Sequence, residues 1–220
     1  MILSVNTFKR KQRGKMENKK IRIAVFVSGG GTNLQALINA AEKGIIKSGE
    51  IKLVVSNNKN AYALTRAKKA CIESVFVSRK KFGDTFEDEL IRILEEKKID
   101  LIVLAGFMSI LTEKFTSHYD HRIINIHPSL IPSFCGEGFY GLKVHEAALK
   151  KGVKVTGATV HYVNEIPDGG EIIMQKAVYI REDDTAETLQ KRVMRLAEWK
   201  ILPMSCEMVS NKLLKLQEEK

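Results

Sequence analysis

From Lys20 onward, short apolar runs rich in Val and Ile alternate with amphipathic stretches. Ile21–Val27, Ile51–Ser56, Ser74–Val77, Leu101–Ala105 and Ile123–His127 show little polar alternation and predict strands that are apolar on both faces. Such strands belong inside a sheet covered on both sides. Between them, Asn33–Lys43, Tyr62–Ala70, Thr85–Lys97 and Leu111–Tyr119 carry helical spacing. The repeated strand-helix order predicts a parallel, doubly wound α/β sheet with right-handed crossovers. After Ile126 the pattern changes. Residues 128–141 are rich in Pro, Gly and aromatics without a helical period, and a short helix resumes over Val144–Lys151. Two further β-rich runs, Val155–Val163 and Glu171–Ile180, are joined only by Asn164–Gly170, which predicts an antiparallel pair added to the sheet. A long helical pattern from Thr185 closes the chain, with a break or bend expected at Pro203.

Composition narrows this picture to one ordinary globular domain. The chain has 220 residues, 44% hydrophobic and 28% charged, with 15 Gly and 4 Pro. That excludes collagen, coiled coil and general disorder, and a chain of this length buries enough surface to need no disulfide or metal staple. Cys71, Cys135 and Cys206 are odd in number, far apart and form no C-x-x-C pair, so a reducing, cytoplasmic setting is expected. No apolar run approaches the roughly 20 residues that span a bilayer. The N-terminus lacks the apolar stretch and small-residue cleavage site of a secretory signal.

The net charge is +10, but residues 1–20 contribute +6 of it through Lys9, Arg10, Lys11, Arg13, Lys15, Lys19 and Lys20 against Glu17. Such a block reads as a solvated, mobile extension over residues 1–19, ahead of a single domain over 20–220. Met16 is an alternative start. With most of the charge outside the domain, neither a nucleic-acid nor a membrane partner is expected.

Three stretches could carry chemistry. Ser28-Gly-Gly-Gly-Thr-Asn-Leu34 lies between the first strand and first helix, where glycines allow a tight turn and close approach of a ligand. Thr32 and Gln35 have the spacing of a helix capping box, and a helix N-terminus at this edge of a sheet suits a phosphate. The loop is not a nucleotide P-loop and lacks the G-x-G-x-x-G spacing; a turn that merely packs would use the same residues.

The second stretch is Asn125-Ile-His-Pro-Ser129. Residues two apart in a strand share a face, so Asn125 and His127 point together, and Pro128 should end the strand. An amide and an imidazole side by side suit a tetrahedral intermediate, Asn125 as oxyanion donor and His127 as charge partner or proton donor. A buried, hydrogen-bonded histidine at a strand end is the plainer reading. The third, Asp168-Gly-Gly170, is equally a simple turn; an Asp brought near His127 would favour the imidazolium and collect the proton of an attacking amine.

Taken in order, Ser28–Ala36, Leu104–Met108, Asn125–Leu130 and Ala158–Gly170 resemble the glycinamide ribonucleotide (GAR) formyltransferases of purine biosynthesis, and the likeness runs from about Ile21 to Pro203. The resemblance implies a formyltransferase-like Rossmann variant that moves a formyl group from 10-formyltetrahydrofolate to the amine of GAR without a metal. By position, it implies that Gly31, Thr32, Asn33 and Glu198 bind GAR. It likewise assigns Asn125, His127 and Asp168 to catalysis. Folate would lie against Met108, Ser109, Ile110 and Leu111, with Asn125 and the loop Asn164, Glu165, Ile166, Pro167 and Asp168. A monomer or weak homodimer is expected.

The chain departs from the family pattern in three places. Ser109 stands where many relatives have Arg. Gly83-Asp84 replaces a basic residue, with Arg79, Lys80 and Lys81 as possible substitutes, and the Ser133–Gly141 stretch is longer than usual. A formyltetrahydrofolate hydrolase could use the same trio, but such relatives carry a regulatory domain not seen here. Methionyl-tRNA formyltransferases add a C-terminal β domain, also not seen, and an RNA module would show aromatic platforms absent from this pattern. His118 and His121 lack a supporting ligand cluster. His161, facing the same way as Thr159, either supports the site or is a satisfied strand histidine. His145 is expected at the surface, and Trp199 and the methionines are expected in packing.

Overall fold

The computed structural model describes residues 19–219. The basic extension and the Met16 alternative therefore lie, but for Lys19, outside the described residues. Strand β1 (Ile21–Val27) is buried except at Arg22, and its alternation shows why the sheet is covered twice. Ile21, Ile23, Val25 and Val27 enter one core cluster, Ala24 and Phe26 the other, and all are fully buried. Strand β4 (Leu101–Leu104) divides in the same way, Leu101 and Val103 against Ile102 and Leu104.

The first half of the chain runs β1, α1 (Thr32–Glu42), β2 (Gly49–Ser56), α2 (Tyr62–Lys69), β3 (Glu73–Phe76), α3 (Arg79–Phe82), α4 (Phe86–Glu96) and β4. Then follow α5 (Glu113–His118), β5 (Ile123–His127), α6 (Leu142–Lys151), β6 (Val155–Tyr162), β7 (Ile172–Tyr179), α7 (Ala186–Val193) and α8 (Trp199–Glu218). The seven strands order as β3-β2-β1-β4-β5-β6-β7. Pairings from β3 through β5 are parallel, while β5–β6 and β6–β7 are antiparallel. The predicted fold class is observed: a single, mostly parallel sheet with a C-terminal antiparallel pair and a long last helix.

The chain leaves β1 toward β2 and β3, then returns to the other side of β1 as β4. A crevice opens at the carboxyl ends of the strands where the order reverses, the usual place for a ligand in open α/β sheets. The loops after β1 and β4 are tied together there. Ser28 N–H donates to the Gly106 carbonyl at 3.0 Å, and Met108 N–H donates to Ser28 Oγ at 2.8 Å.

Several local expectations are corrected. Strand β3 is a sheet edge with mostly exposed residues and is not covered on both faces. The four-residue α3 carries no periodic signal and was not expected. Helix α1 starts one residue early: Gly31, at φ 70°, is its N-cap, no side chain caps it, and the Thr32–Gln35 box does not form. Helix α6 also starts early, at Leu142, which puts Val144, His145 and Ala148 on the inward face. His145 is therefore fully buried rather than at the surface. The expected break at Pro203 is displaced: α8 runs through it, and the irregularity is a π turn over Met194–Glu198 just before. Proline supplies no N–H to the carbonyl one turn back, and the mismatch is taken up at the start of the helix. Met108, Met204 and Met208 are more than half exposed and Trp199 is 38% exposed, so these four are not core packing.

Candidate active site

The site begins with strand parity. Ile123 lies in the core cluster on one side of the sheet, so Asn125 and His127, two and four residues on, emerge on that same side. Antiparallel β6 places His161 directly opposite Asn125 and Thr159 directly opposite His127. The face thus acquires four polar side chains at one strand end. Asp168 arrives from the loop joining β6 and β7, with φ 58°, in the left-handed region.

These groups converge. His127 Nδ1 lies 3.4 Å from Asp168 Oδ2, and His161 Nε2 lies 3.4 Å from Asp168 Oδ1. Asn125 Nδ2 lies 3.1 Å from His161 Nε2 and donates to Asp168 Oδ1 at 3.4 Å. The other nitrogen of His161 bonds the Tyr162 carbonyl at 2.7 Å, so Nδ1 carries a proton. The sequence left His161 open between a supporting and a plain structural role; the structure places it between Asn125 and Asp168.

Charge in this cluster follows from its surroundings. Burial holds the His127 imidazole below its ordinary value; the Asp168 carboxylate and the Phe134 carbonyl pull upward, and His161 adds to the depression. Burial alone would raise the Asp168 carboxyl. His161, His127 and the Gly136 N–H favour its ionised form, and the net is below the usual carboxylate value. His145 is pushed down to about 4 by burial and by His127, and neither of its ring nitrogens has a hydrogen-bond partner.

On one side of this cluster lies a narrow cleft of about 130 Å³. Ser109, Ile110 and Leu111 form one wall, the 164–168 loop the other, and Asn125 and His161 line the inner end. Leu104, Phe107 and Val163 line it too, residues that sequence reasoning passed over because they read only as core. Met108 is the exception among the folate candidates: it is exposed and does not line the cleft. Ser109 Oγ accepts a hydrogen bond from Asn57 at 2.8 Å. Of the three basic substitutes, Arg79 braces one wall of the cleft without lining it, its Nη2 donating to the Ile110 carbonyl at 3.2 Å while its guanidinium covers the Phe86 ring.

The glycine loop follows β1 at the same carboxyl edge of the sheet, tied to the β4 loop through Ser28. Gly31 cannot carry a side chain, since a Cβ there would sit 2.6 Å from that of Ala63. The first turn of α1 therefore presents backbone N–H groups with no side-chain cap. Arg66 Nε donates to the Gly30 carbonyl at 2.8 Å and holds the loop from behind. Asn33 Nδ2 donates to Glu198 Oε2 at 2.7 Å, which brings together two of the four GAR candidates from positions 165 residues apart. The π turn delivers Glu198 to this spot. A larger cavity of about 660 Å³ starts at Thr32 and follows α1 to Lys43 beneath Trp199; it includes none of the polar cluster.

Among the described residues, no group of three or more His, Cys, Asp or Glu is placed to hold a metal ion. His118 pairs with Glu95, and His121 stacks on Tyr162. No helix among them is long and apolar enough to cross a membrane.

A doubly wound sheet carries, at the carboxyl edge of its strands, an Asn-His-Asp cluster beside a narrow cleft and a glycine turn with uncapped backbone N–H groups. The family described as "Formyl transferase" matches residues 21–205, and the chain belongs to it. Within it, the chain is similar to phosphoribosylglycinamide formyltransferase of Haemophilus influenzae, at 41% identity over 199 residues, covering 90% of this chain and 91% of that protein. The trifunctional purine biosynthetic protein adenosine-3 of Gallus gallus is 42% identical over 201 residues, 90% of this chain but only 19% of that protein. The chain thus spans about a fifth of that longer relative. The crystal structure of phosphoribosylglycinamide formyltransferase from Anaplasma phagocytophilum matches with a TM-score of 0.79 at 42% identity, covering 88% of this chain and 89% of that one.

Proposed function

We propose that this chain transfers the formyl group of 10-formyltetrahydrofolate to the amine of glycinamide ribonucleotide in de novo purine biosynthesis. The observation that carries the reading is the meeting of Asn125, His127, His161 and Asp168 at the inner end of the cleft. Both substrates are small molecules consumed in the reaction, and the formyltransferases of Haemophilus influenzae and Anaplasma phagocytophilum cover nearly the same length of chain.

GAR enters phosphate-first against the α1 N-terminus at Gly31, Thr32 and Asn33, with Glu198 contacting its sugar or glycinamide part. Folate lies against Ser109, Ile110, Leu111 and the 164–168 loop. Each contact serves to hold the amine in line with the formyl carbon, which is itself a large rate term. The amine then attacks directly and a tetrahedral intermediate forms. Asn125 donates to the developing oxyanion, His127 shares that charge as it takes up a proton, and Asp168 takes the proton released by the amine, directly or through water; the bond from the carbon to the folate nitrogen then breaks, that proton passes to the nitrogen, and tetrahydrofolate and formylated GAR leave. The enzyme forms no covalent intermediate, and the step needs no metal. The extension over 1–19 takes no part, and the folded chain works as a monomer or weak homodimer in the cytoplasm.

Steady-state formyl transfer with purified protein tests the assignment. Wild type should turn over GAR, while His127→Ala and Asp168→Asn should each lose about 100-fold or more in kcat with a cooperative melt retained. Undiminished turnover in either variant would remove that residue from the catalytic group.

A further inference from the structure

The long Ser133–Gly141 stretch has no place in the reaction as written, yet its first turn grips the reacting pair. The Phe134 carbonyl lies 2.8 Å from His127 Nε2. Two residues on, the Gly136 N–H donates to Asp168 Oδ2 at 2.8 Å, the same oxygen that faces His127 Nδ1. One three-residue turn therefore touches the far nitrogen of the histidine and the near oxygen of the aspartate. Its backbone is shaped for this, with Phe134 at φ 51° and Gly136 at φ 85°.

The turn is bolted to the sheet. Ser129 Oγ donates to the Ser133 carbonyl at 2.5 Å, and Thr159 Oγ1 donates to the Ser129 carbonyl at 2.7 Å. Ile131 N–H donates back to Thr159 Oγ1 at 3.1 Å, and Gln175 Nε2 donates to the Ile131 carbonyl at 2.9 Å. The turn thus inherits the rigidity of β6 and β7.

A carbonyl oxygen only accepts, so the Phe134 contact requires a proton on Nε2. That leaves Nδ1 as the nitrogen whose proton comes and goes, and it faces a carboxylate oxygen rather than a fixed donor. We infer that the Phe134–Gly136 turn is a positioning element that fixes His127 as its Nε2–H tautomer and aims Nδ1 and Asp168 Oδ2 at one shared proton. Backbone atoms do this work, so the device is independent of the side chains in the turn. It rests on the catalytic reading of His127 and Asp168, but its first readout needs no turnover.

Nitrogen NMR of isotope-labelled histidine in the full chain, with His127→Ala for assignment, reads the tautomer. His127 should keep its proton on Nε2 throughout the neutral state, and that proton should exchange slowly with water. Gly136→Pro removes the N–H and cannot adopt the positive φ, whereas Gly136→Asn keeps the donor, has open space around its Cβ and enters positive φ at less cost than other side-chain-bearing residues. Gly136→Pro should lower kcat about 100-fold with the KM for GAR nearly unchanged, as expected for misplaced reacting groups, and Gly136→Asn should restore most of it. A neutral Nδ1–H tautomer in wild type overturns the inference, as does wild-type kcat in Gly136→Pro. Should that variant not fold, the wild-type spectrum together with an inactive but folded Gly136→Asn would overturn it. Inactivity of the wild type with the expected tautomer would count against the proposed reaction and leave the turn's role standing.

Discussion

Glu198 shows how burial turns a side chain into a pH-sensitive one. It is 6% exposed, and burial raises its carboxyl to about 7 while the Asn33 amide pulls it down. A carboxyl whose folded value lies above its unfolded value stabilises the fold below the unfolded value, and the benefit is lost as pH rises through the folded one. The window therefore runs from about 4.5 to about 7. Glu198→Gln keeps an acceptor for Asn33 and does not ionise, so wild type should lose stability relative to it by up to roughly 3 kcal/mol between pH 5 and 8. Paired thermal melts at several pH values check this, and parallel curves for the two proteins would refute it.

Among individual residues, legibility depended on whether a position was set by local period or by distant chain. Asn125 and His127 could be read because a strand repeats every two residues and Pro128 marks its end. Asp168 was readable only as a carboxylate before two glycines; that it lands 3.4 Å from His127 depends on a loop between two antiparallel strands. The Phe134 carbonyl was beyond reach, since a main-chain atom in an aperiodic loop leaves no mark in side-chain pattern. His145 was misplaced because α6 starts at Leu142, which puts it past the first turn and on the same face as the buried Ala148.

At the level of elements, the α1 N-terminus owes its shape to Gly31 rather than to a capping side chain. A methyl group there meets Ala63 at 2.6 Å and sits on a backbone at φ 70° that L residues disfavour. Gly31→Ala should push α2 away from the loop and turn the free N–H groups off their target. The KM for GAR should rise roughly tenfold, about 1.4 kcal/mol of binding, with a smaller change in kcat. Substrate titrations at saturating folate would show this, and an unchanged KM would mean that the loop does not carry the phosphate. The strands and helices around this loop were legible because two-sided apolar runs and amphipathic runs differ sharply. Their ends shifted by one or two residues where a glycine, and not a capping side chain, set the boundary.

For the molecule as a whole, the sheet order brings the β1 and β4 loops together, and the antiparallel addition of β6 supplies the second half of the polar cluster. The parallel sheet and its antiparallel pair followed from the alternation of elements; the strand order and the place of Glu198 did not, the latter because it depends on a π turn that only the packed C-terminal helix reveals. If residues 1–18 are an extension, a chain starting at Lys19 should keep its melting temperature and kcat/KM. RNA retention by that shortened chain, surviving moderate salt, would instead assign the domain a nucleic-acid role.

The account turns on where the formyl carbon goes. In a single turnover with isotopically labelled formyl folate and excess enzyme, all of the label should appear as the amide of formylated GAR, and almost none should leave the folate when GAR is withheld. Release of labelled formate at the same rate with and without GAR would contradict the account and identify water as the acceptor.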